Sequence, residues 1–106
     1  MAQVNKEQKY DIAQFAKFLS GDRLKSDVLK SKHFNVVIIC LDDGYELPPH
    51  HEPYDVLFCV VSGRGIITAG DKQWETQSGS MVFAPVGIRG IKCHARMTIL
   101  GIQEPH

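Results

Sequence analysis

The sequence has no net charge and no long apolar run. Its 106 residues include 12 basic and 12 acidic side chains, which cancel at pH 7. Binding to nucleic acid or to an anionic membrane through charge requires an excess of basic residues, and a membrane helix needs about 20 consecutive apolar residues. We therefore expect neither nucleic acid nor a membrane as a partner. The first ten residues also lack the apolar core of a signal peptide, which favours a cytoplasmic protein.

Cysteine is scarce as well. The three cysteines, Cys40, Cys59 and Cys93, are odd in number and widely spaced, and none belongs to a C-x-x-C pair. This pattern does not predict a disulfide framework or a structural zinc site. Cys40 and Cys59 lie in apolar runs, so we expect buried, reduced thiols, with a redox or metal role as the alternative.

Several catalytic motifs are missing. Gly63-x-Gly65 is not followed by the third glycine of a dinucleotide-binding loop, and no serine lies in a nucleophile elbow. The neighbours Cys93 and His94 would point to opposite faces of a strand, which is a poor arrangement for a nucleophile and its base. The sequence therefore favours neither a nucleotide-dependent enzyme nor a hydrolase with a serine or cysteine nucleophile.

What the sequence does contain is a series of short β-branched and apolar runs separated by glycine and proline. The predicted strands are 34–41, 45–52, 56–61, 65–69, 73–76, 80–84, 91–94 and 97–102. A hairpin turn is predicted at Ser62-Gly63 and a loop at 87–90. No helix separates these strands, which excludes parallel crossovers. The fold class is therefore mainly β, an antiparallel sandwich or small jelly-roll barrel.

The N-terminal third differs from the rest of the chain. Apolar residues at helical spacing predict one short helix over 11–19, with Asp11 as its N-cap and Gly21 after its end. Residues 22–32 form either an irregular connector or a short edge strand. We therefore expect an N-terminal arm and helix, residues 1–32, packed on a barrel formed by residues 33–106.

Most of the polar chemistry lies in the stretch from Gly44 to Gly65. Side chains two residues apart in a strand share a face, so His50 and Glu52 should point inward together and His51 outward. Val56 and Phe58 continue on the inner face as an apolar wall. Such a stretch is suited to form the floor of a ligand pocket.

Six landmarks in this stretch and beyond it match the two motifs of a known family in type and spacing: Gly44, His50 and Gly63 in the first, and Gly79, Pro85 and Gly87 in the second. The chain from about residue 34 to residue 102 thus resembles a small single-domain cupin. The resemblance implies a cupin-type jelly-roll β-barrel. It also implies the chemistries common among cupins, which include metal-dependent oxygenases and isomerases.

The family's metal ligands are mostly replaced. Glu52 stands in place of the second histidine, Val56 or Leu57 in place of the glutamate, and Gly90 in place of the third histidine. His94 occupies the position of the final asparagine. Only His50 is retained, so the resemblance implies a metal site that has been lost or reshaped.

Two interpretations of the polar cluster remain open. His50 and Glu52 could hold a divalent metal such as zinc, nickel, iron or manganese, with His94 or Cys93 as a third ligand. Alternatively, Glu52 accepts a hydrogen bond from His50 and the pair orients a polar pocket without metal. The second interpretation is favoured, so no cofactor is firmly predicted.

The predicted ligand pocket is formed by His50, Glu52, Val56, Phe58 and Arg89. It should be mostly apolar with a few polar anchors. Arg89 would lie in a loop at the barrel mouth, either holding an anionic group or simply solvated. Met81 and Phe83 are expected to belong to the ordinary core.

These observations favour a small-molecule-binding protein that is non-catalytic or sensor-like. The alternative is a metal-dependent cupin enzyme, an oxygenase or isomerase, in which His50 is ligand or general base and Glu52 its partner. A third possibility is a structural dimerisation unit, which would have a closed barrel mouth. We also expect a homodimer, because Leu57, Cys59 and Val61 form a second apolar face that a sheet, the N-terminal helix or another copy must cover.

Overall fold

A computed structural model describes residues 3–106 of the chain, so the first two residues of the predicted N-terminal arm lie outside it. All strand pairs in this part of the chain are antiparallel. The strands are β1 (Arg23–Lys30), β2 (Asn35–Leu41), β3 (Glu46–Glu52), β4 (Val56–Ala69), β5 (Lys72–Gln77), β6 (Met81–Ala84) and β7 (Gly87–Gln103). The predicted mainly β fold is confirmed.

The two long strands β4 and β7 organise the sheet. They pair over nearly their whole lengths, from Val56 opposite Gln103 to Ala69 opposite Arg89, with register shifts near the middle of β4 that bend and twist the pair. One half of the sheet has the order β1-β2-β7-β4-β6 and the other half the order β3-β7-β4-β5. Residues of both halves pack in one apolar cluster, so the halves face each other around a shared interior, as in a jelly roll.

Two predicted loops are strand instead. The hairpin predicted at Ser62-Gly63 is wrong, because β4 continues through it. Gly63 has a φ of +82°, and a Cβ atom there would collide with the carbonyl oxygens of Ala95 and Arg96. The glycine therefore permits a close approach of β4 to β7 and does not reverse the chain. The loop predicted at 87–90 is likewise wrong, because β7 begins at Gly87.

The interior is apolar and draws on four strands. Its buried residues are Val37, Ile39 and Leu41 of β2, Val56, Phe58, Val60, Ile67 and Ala69 of β4, Val82 and Ala84 of β6, and Ile91, Cys93, Met97 and Ile99 of β7. Met81 and Phe83, predicted as core, are instead 68% and 57% exposed. In β6, Val82 and Ala84 pair with inward-facing residues of β4, so their neighbours point outward. A short strand that is apolar on both faces does not reveal which face is buried.

The predicted N-terminal helix is also wrong, because its residues contain a single 3-10 turn, Ile12–Gln14. Phe15 and Phe18 pack on the outer face of the sheet, whereas Ile12 and Leu19 are 40% and 47% exposed. A helix would have placed Ile12, Phe15 and Leu19 on one side. Contact with the sheet therefore selects a different set of side chains and overrides the weak intrinsic stability of a short helix.

Of the two alternatives for residues 22–32, the edge strand is confirmed, because β1 pairs with β2 along its length. Val28 of β1 joins Ile38 and Cys40 of β2 in a second buried cluster, which Tyr10 and Phe15 cover from outside. The N-terminal segment thus covers the β1–β2 side of the outer face. No helix within residues 3–106 is long and apolar enough to cross a membrane.

The cysteines are free thiols. Cys40 is buried as predicted, whereas Cys59, also predicted to be buried, is only half-buried on the outer face of β4; Cys93 is buried. Burial raises the pKa of both the Cys59 and the Cys93 thiol. Both therefore favour the protonated, unreactive form.

Candidate functional site

The two halves of the sheet enclose a cavity of about 360 Å³ at one end of the interior. It is lined by basic, acidic and amide side chains on one side and by apolar side chains on the other. The lining residues are Arg23, Lys25, Ile39, Leu47, His50, Glu52, Tyr54, Phe58, Arg89, Gly90, Ile91 and Gln103. A volume of this size is at the lower end of the range for small-molecule sites.

His50 and Glu52 lie on the same face of β3 and both line the cavity, whereas His51 between them is exposed. The His50 Nε2 atom is 3.7 Å from Glu52 Oε2, and its Nδ1 atom is 2.9 Å from the carbonyl oxygen of Pro48. When Nδ1–H donates to this carbonyl, Nε2 of the neutral ring is the acceptor and faces Glu52 and the cavity. The ring can then accept a proton from a ligand or, once protonated, form an ion pair with Glu52.

Tyr54 extends this polar row beyond the end of β3. Its hydroxyl donates a hydrogen bond to Glu52 Oε2 at 2.7 Å, and Gln103 Nε2 donates to the same hydroxyl at 3.5 Å. Burial raises the pKa of Tyr54 to about 12, assisted by the hydrogen bond to Glu52 and by its negative charge. For Glu52, burial acts to raise the pKa, but the Tyr54 hydrogen bond and nearby positive charges outweigh it and lower the pKa. At neutral pH the pair is therefore a neutral phenol bound to a carboxylate.

Arg89 lies in β7 and is only 3% exposed. The prediction that it lies in a loop at the barrel mouth is therefore wrong. It lies directly across from His50 in the pairing of β3 with β7. Its Nη2 donates hydrogen bonds to the carbonyl oxygens of Tyr54 and Pro85, and its guanidinium lies 5.0 Å from the centre of the Tyr54 ring. The sequence predicts that Arg89 belongs to the pocket, but it does not predict that Arg89 is buried, because the residues that bury it come from distant segments of the chain.

The apolar wall of the cavity is only partly the predicted one. Phe58 lines it, but Val56 packs in the core without reaching the cavity. Ile39, Leu47 and Ile91 complete the wall from β2, β3 and β7. An apolar wall of this kind is suited to contact an apolar portion of a ligand.

The structure does not bring His94 to His50 and Glu52. His94 is exposed and lies in a separate surface groove beside Arg64 and Glu75. Cys93 faces inward, but it belongs to the core and not to the lining of the cavity. Within residues 3–106, no three histidine, cysteine or carboxylate side chains are placed to hold one metal ion.

The position of the family's third histidine is closed as well. A Cβ atom on Gly90 would lie 3.0 Å from both the carbonyl oxygen of Leu47 and the nitrogen of Pro49. The backbone of β7 therefore lies directly against β3, and a side chain at residue 90 would require the backbone of β3 to move by a few tenths of an ångström. Two donors, His50 and Glu52, are fewer than a well-held ion requires. The residues present do not fit the metal that the resemblance implies.

Sequence reasoning missed several residues that line the cavity. Tyr54 continues the period-two series of His50 and Glu52, so extending the alternation past Pro53 would have found it. Gln103, Arg23 and Lys25 carry no such local signal, because the topology of the sheet brings them to the cavity from the two ends of the chain. The ring of His106 stacks on that of Tyr54, with centroids 3.7 Å apart.

No protein-family model matches the chain, and no curated protein matches it. Solved structures do match over almost its full length. An RmlC-like cupin protein from Desulfovibrio desulfuricans has a TM-score of 0.83 at 21% identity, covering 94% of this chain and 98% of its own. A cupin superfamily protein from Desulfitobacterium hafniense has a TM-score of 0.79 at 17% identity, covering 99% and 97%. A conserved protein of unknown function from Streptococcus pyogenes has a TM-score of 0.80 at 16% identity, covering 100% and 96%.

The chain therefore has the fold of the RmlC-like cupins, as its two motifs predict. At these identities the likeness concerns the fold alone. One fold supports many chemistries, so a function must be argued from the cavity itself.

Proposed function

We propose that this protein binds a small molecule in the cavity and acts as a non-catalytic or sensor-like module. The observation that supports the proposal is the composition of the cavity. An apolar wall that includes Ile39 and Phe58 faces a polar side that includes His50, Glu52 and Arg89. Small-molecule sites commonly combine such a wall with a few convergent polar groups that set orientation.

A thermal-shift screen of small polar and amphipathic compounds tests this proposal. Hits should raise the melting temperature of the native protein, because a ligand that binds only the folded state stabilises it. Leu47→Trp should abolish the shifts, since Leu47 lines the cavity and is only partly buried, so that an indole can fill the space. Ile12→Trp, at an exposed residue outside the cavity, is the matched control and should retain them. Shifts that survive Leu47→Trp would contradict binding in the cavity.

A second candidate function is an enzyme, either a metal-dependent oxygenase or an isomerase. It is favoured by one distance, the 3.7 Å between His50 Nε2 and Glu52 Oε2 beside the cavity. In an isomerase His50 would move a proton and Glu52 would stabilise the charged ring. The oxygenase requires a metal ion, and these two residues by themselves are a weak ligand set.

Elemental analysis of protein purified without an affinity tag separates the two candidates. For the binding module we expect no stoichiometric zinc, nickel, iron or manganese. Stoichiometric metal that is lost in His50→Ala but kept in His94→Ala would contradict this expectation and favour the enzyme. His94→Ala is the matched control, because it removes an exposed histidine that does not line the cavity.

We further propose that the protein is a homodimer and is cytoplasmic. Support for the dimer comes from the outer face of β4 and β6, where Met81 and Phe83 are 68% and 57% exposed beside Leu57 and Cys59. An exposed apolar surface of this kind is typical of an interaction site. A patch that is apolar throughout can contact its own copy across a two-fold axis.

A further inference from the structure

Arg89 is a buried cation that forms no salt bridge with the described residues. It is 3% exposed, yet within residues 3–106 no carboxylate oxygen lies within 4.0 Å of its guanidinium nitrogens. Buried charges in proteins are normally paired, because removing a charge from water is strongly unfavourable. The neighbouring carboxylate, Glu52, accepts the Tyr54 hydrogen bond and lies 3.7 Å from His50. Within the described residues the buried charge of Arg89 therefore has no carboxylate in direct contact, and Glu52 acts on it only from beyond 4.0 Å.

The hydrogen bonds of Arg89 are also incomplete. In the part of the chain that the structure describes, Arg89 reaches three acceptors, the carbonyl oxygens of Tyr54, Pro85 and Ala84, and Nη2 is the donor to all three. Its Nε is buried and has no partner within the described part of the chain. A guanidinium carries five N–H donors, one on Nε and two on each Nη. Within residues 3–106 the Nε–H and the two Nη1–H groups are therefore without a protein acceptor, although Arg89 lines the cavity.

The charges around the cavity have the same sign on balance. Arg23 and Lys25 of β1 line it together with Arg89, and Glu52 is the only carboxylate among the described lining residues. Three cationic groups against one anionic group leave a net charge of +2 around the cavity while His50 is neutral. A chain with no net charge overall thus concentrates positive charge where its cavity opens, which raises the local concentration of anions.

We propose that the ligand of this cavity is a small organic anion, with its acidic group toward Arg89 and its apolar body against Ile39, Phe58 and Ile91. This inference rests on the proposed function and specifies the ligand class. The anion supplies a counter-charge in direct contact and accepts hydrogen bonds that no group among residues 3–106 accepts. The guanidinium is suited to this role because it remains charged when buried. Carboxylates and phosphate monoesters share the required chemistry.

The test is a matched series on one benzyl skeleton: phenylacetate, benzyl phosphate, phenylacetamide and benzylamine. Dissociation constants are measured by NMR titration of the native protein. At least one of the two anions should bind about tenfold or more tightly than the neutral amide, because hydrogen bonds to a charged partner are the stronger ones. Benzylamine should bind most weakly. The two anions also distinguish a carboxylate from a phosphate preference.

Variants locate the effect. Arg89→Met should remove the preference for anions, and Lys25→Gln, at an exposed lining residue, should reduce it. Lys72→Gln, exposed and outside the cavity, should leave it unchanged. If Arg89→Met does not fold, the preference for anions is decided by the four compounds measured on native protein and on Lys25→Gln.

The outcomes distinguish this inference from the proposed function. Equal binding of phenylacetate, benzyl phosphate and phenylacetamide would overturn the anion assignment, as would hits in the thermal-shift screen that are all neutral or cationic. In either case, shifts abolished by Leu47→Trp would leave the small-molecule site standing. A screen and a series without any binding would overturn both.

Discussion

The Tyr54 hydroxyl donates a 2.7 Å hydrogen bond to Glu52 Oε2, which joins the loop after β3 to the polar side of the cavity. Tyr54 is 7% exposed, and its ring also contacts the guanidinium of Arg89. The phenol therefore connects the anionic and the cationic group of the site. Its protonation state therefore affects the stability of the fold.

Tyr54→Phe should change how stability depends on alkaline pH. The folded protein raises the pKa of Tyr54 from 10.0 to about 12, so the folded state retains a proton that the unfolded state loses. The stabilisation is fully present below pH 10 and disappears as the pH rises toward 12. In this range the folded state binds more protons than the unfolded state, so the free energy of unfolding falls with rising pH. A shift of two pKa units corresponds to about 3 kcal/mol in full, of which about 2 kcal/mol is lost by pH 12.

Urea unfolding from pH 9, about one unit below the affected range, to pH 12, at about its upper end, measures this loss. The stability advantage of native protein over Tyr54→Phe should shrink by about 2 kcal/mol across the range. Tyr10→Phe removes a hydroxyl that bonds Gln8 at the surface and serves as the matched control. An advantage over Tyr54→Phe that stays constant with pH would contradict the role assigned to the buried phenol.

Glu52→Gln should have the opposite pH dependence. The folded state lowers the pKa of Glu52 below its ordinary 4.5, so the ionised carboxylate stabilises the fold above that pH. The stabilisation is lost as pH falls through the lowered pKa. We expect Glu52→Gln to be less stable than native protein by about 1 kcal/mol at neutral pH, with the difference closing in acid. Glu46→Gln, exposed on the same strand, is the control; a difference that persists in strong acid would count against this account.

Gly63→Ala tests the close approach of β4 to β7. The new Cβ would collide with the Ala95 and Arg96 carbonyl oxygens at a φ of +82°, so we expect a loss of about 3 kcal/mol or more, or failure to fold. Gly70→Ala is the matched control: its φ is +64°, but no atom lies within 4 Å of the added Cβ. The backbone conformation alone should cost about 1–2 kcal/mol. If urea unfolding gives the same loss of stability for Gly63→Ala and Gly70→Ala, the collision at Gly63 does not contribute to stability and this account is wrong.

Phe83→Glu should convert the proposed dimer to a monomer. Phe83 of β6 pairs with Leu57 of β4, which pairs in turn with Ile102 of β7, so one uncharged row crosses the exposed face. A carboxylate in this row would be desolvated in the interface without a partner. Sedimentation velocity over a range of concentrations measures the change. Leu19→Glu, at a residue that is 47% exposed, should remain dimeric; native protein that is monomeric at every concentration would rule out the assembly.

The alternation of residue types was informative where one face of a strand is polar. His50 and Glu52 flank the exposed His51, so their shared direction follows from the period of two, and the same rule would have included Tyr54. The alternation was uninformative where both faces are apolar, as at Met81 and Phe83. There the exposed face depends on the partner strand, which the local sequence does not specify.

Local chemistry alone specifies a mainly β chain, its cupin motifs and a strand with an inward-facing imidazole and carboxylate, because strand propensity, turn residues and alternation act over a few neighbouring positions. Packing decided the rest: that β4 and β7 each continue through a predicted loop, and that Arg89 is buried. The carbonyl groups that hold Arg89 belong to Tyr54, Ala84 and Pro85. Only the folded sheet brings those segments together, and so only the tertiary structure places a buried, unpaired cation beside the cavity.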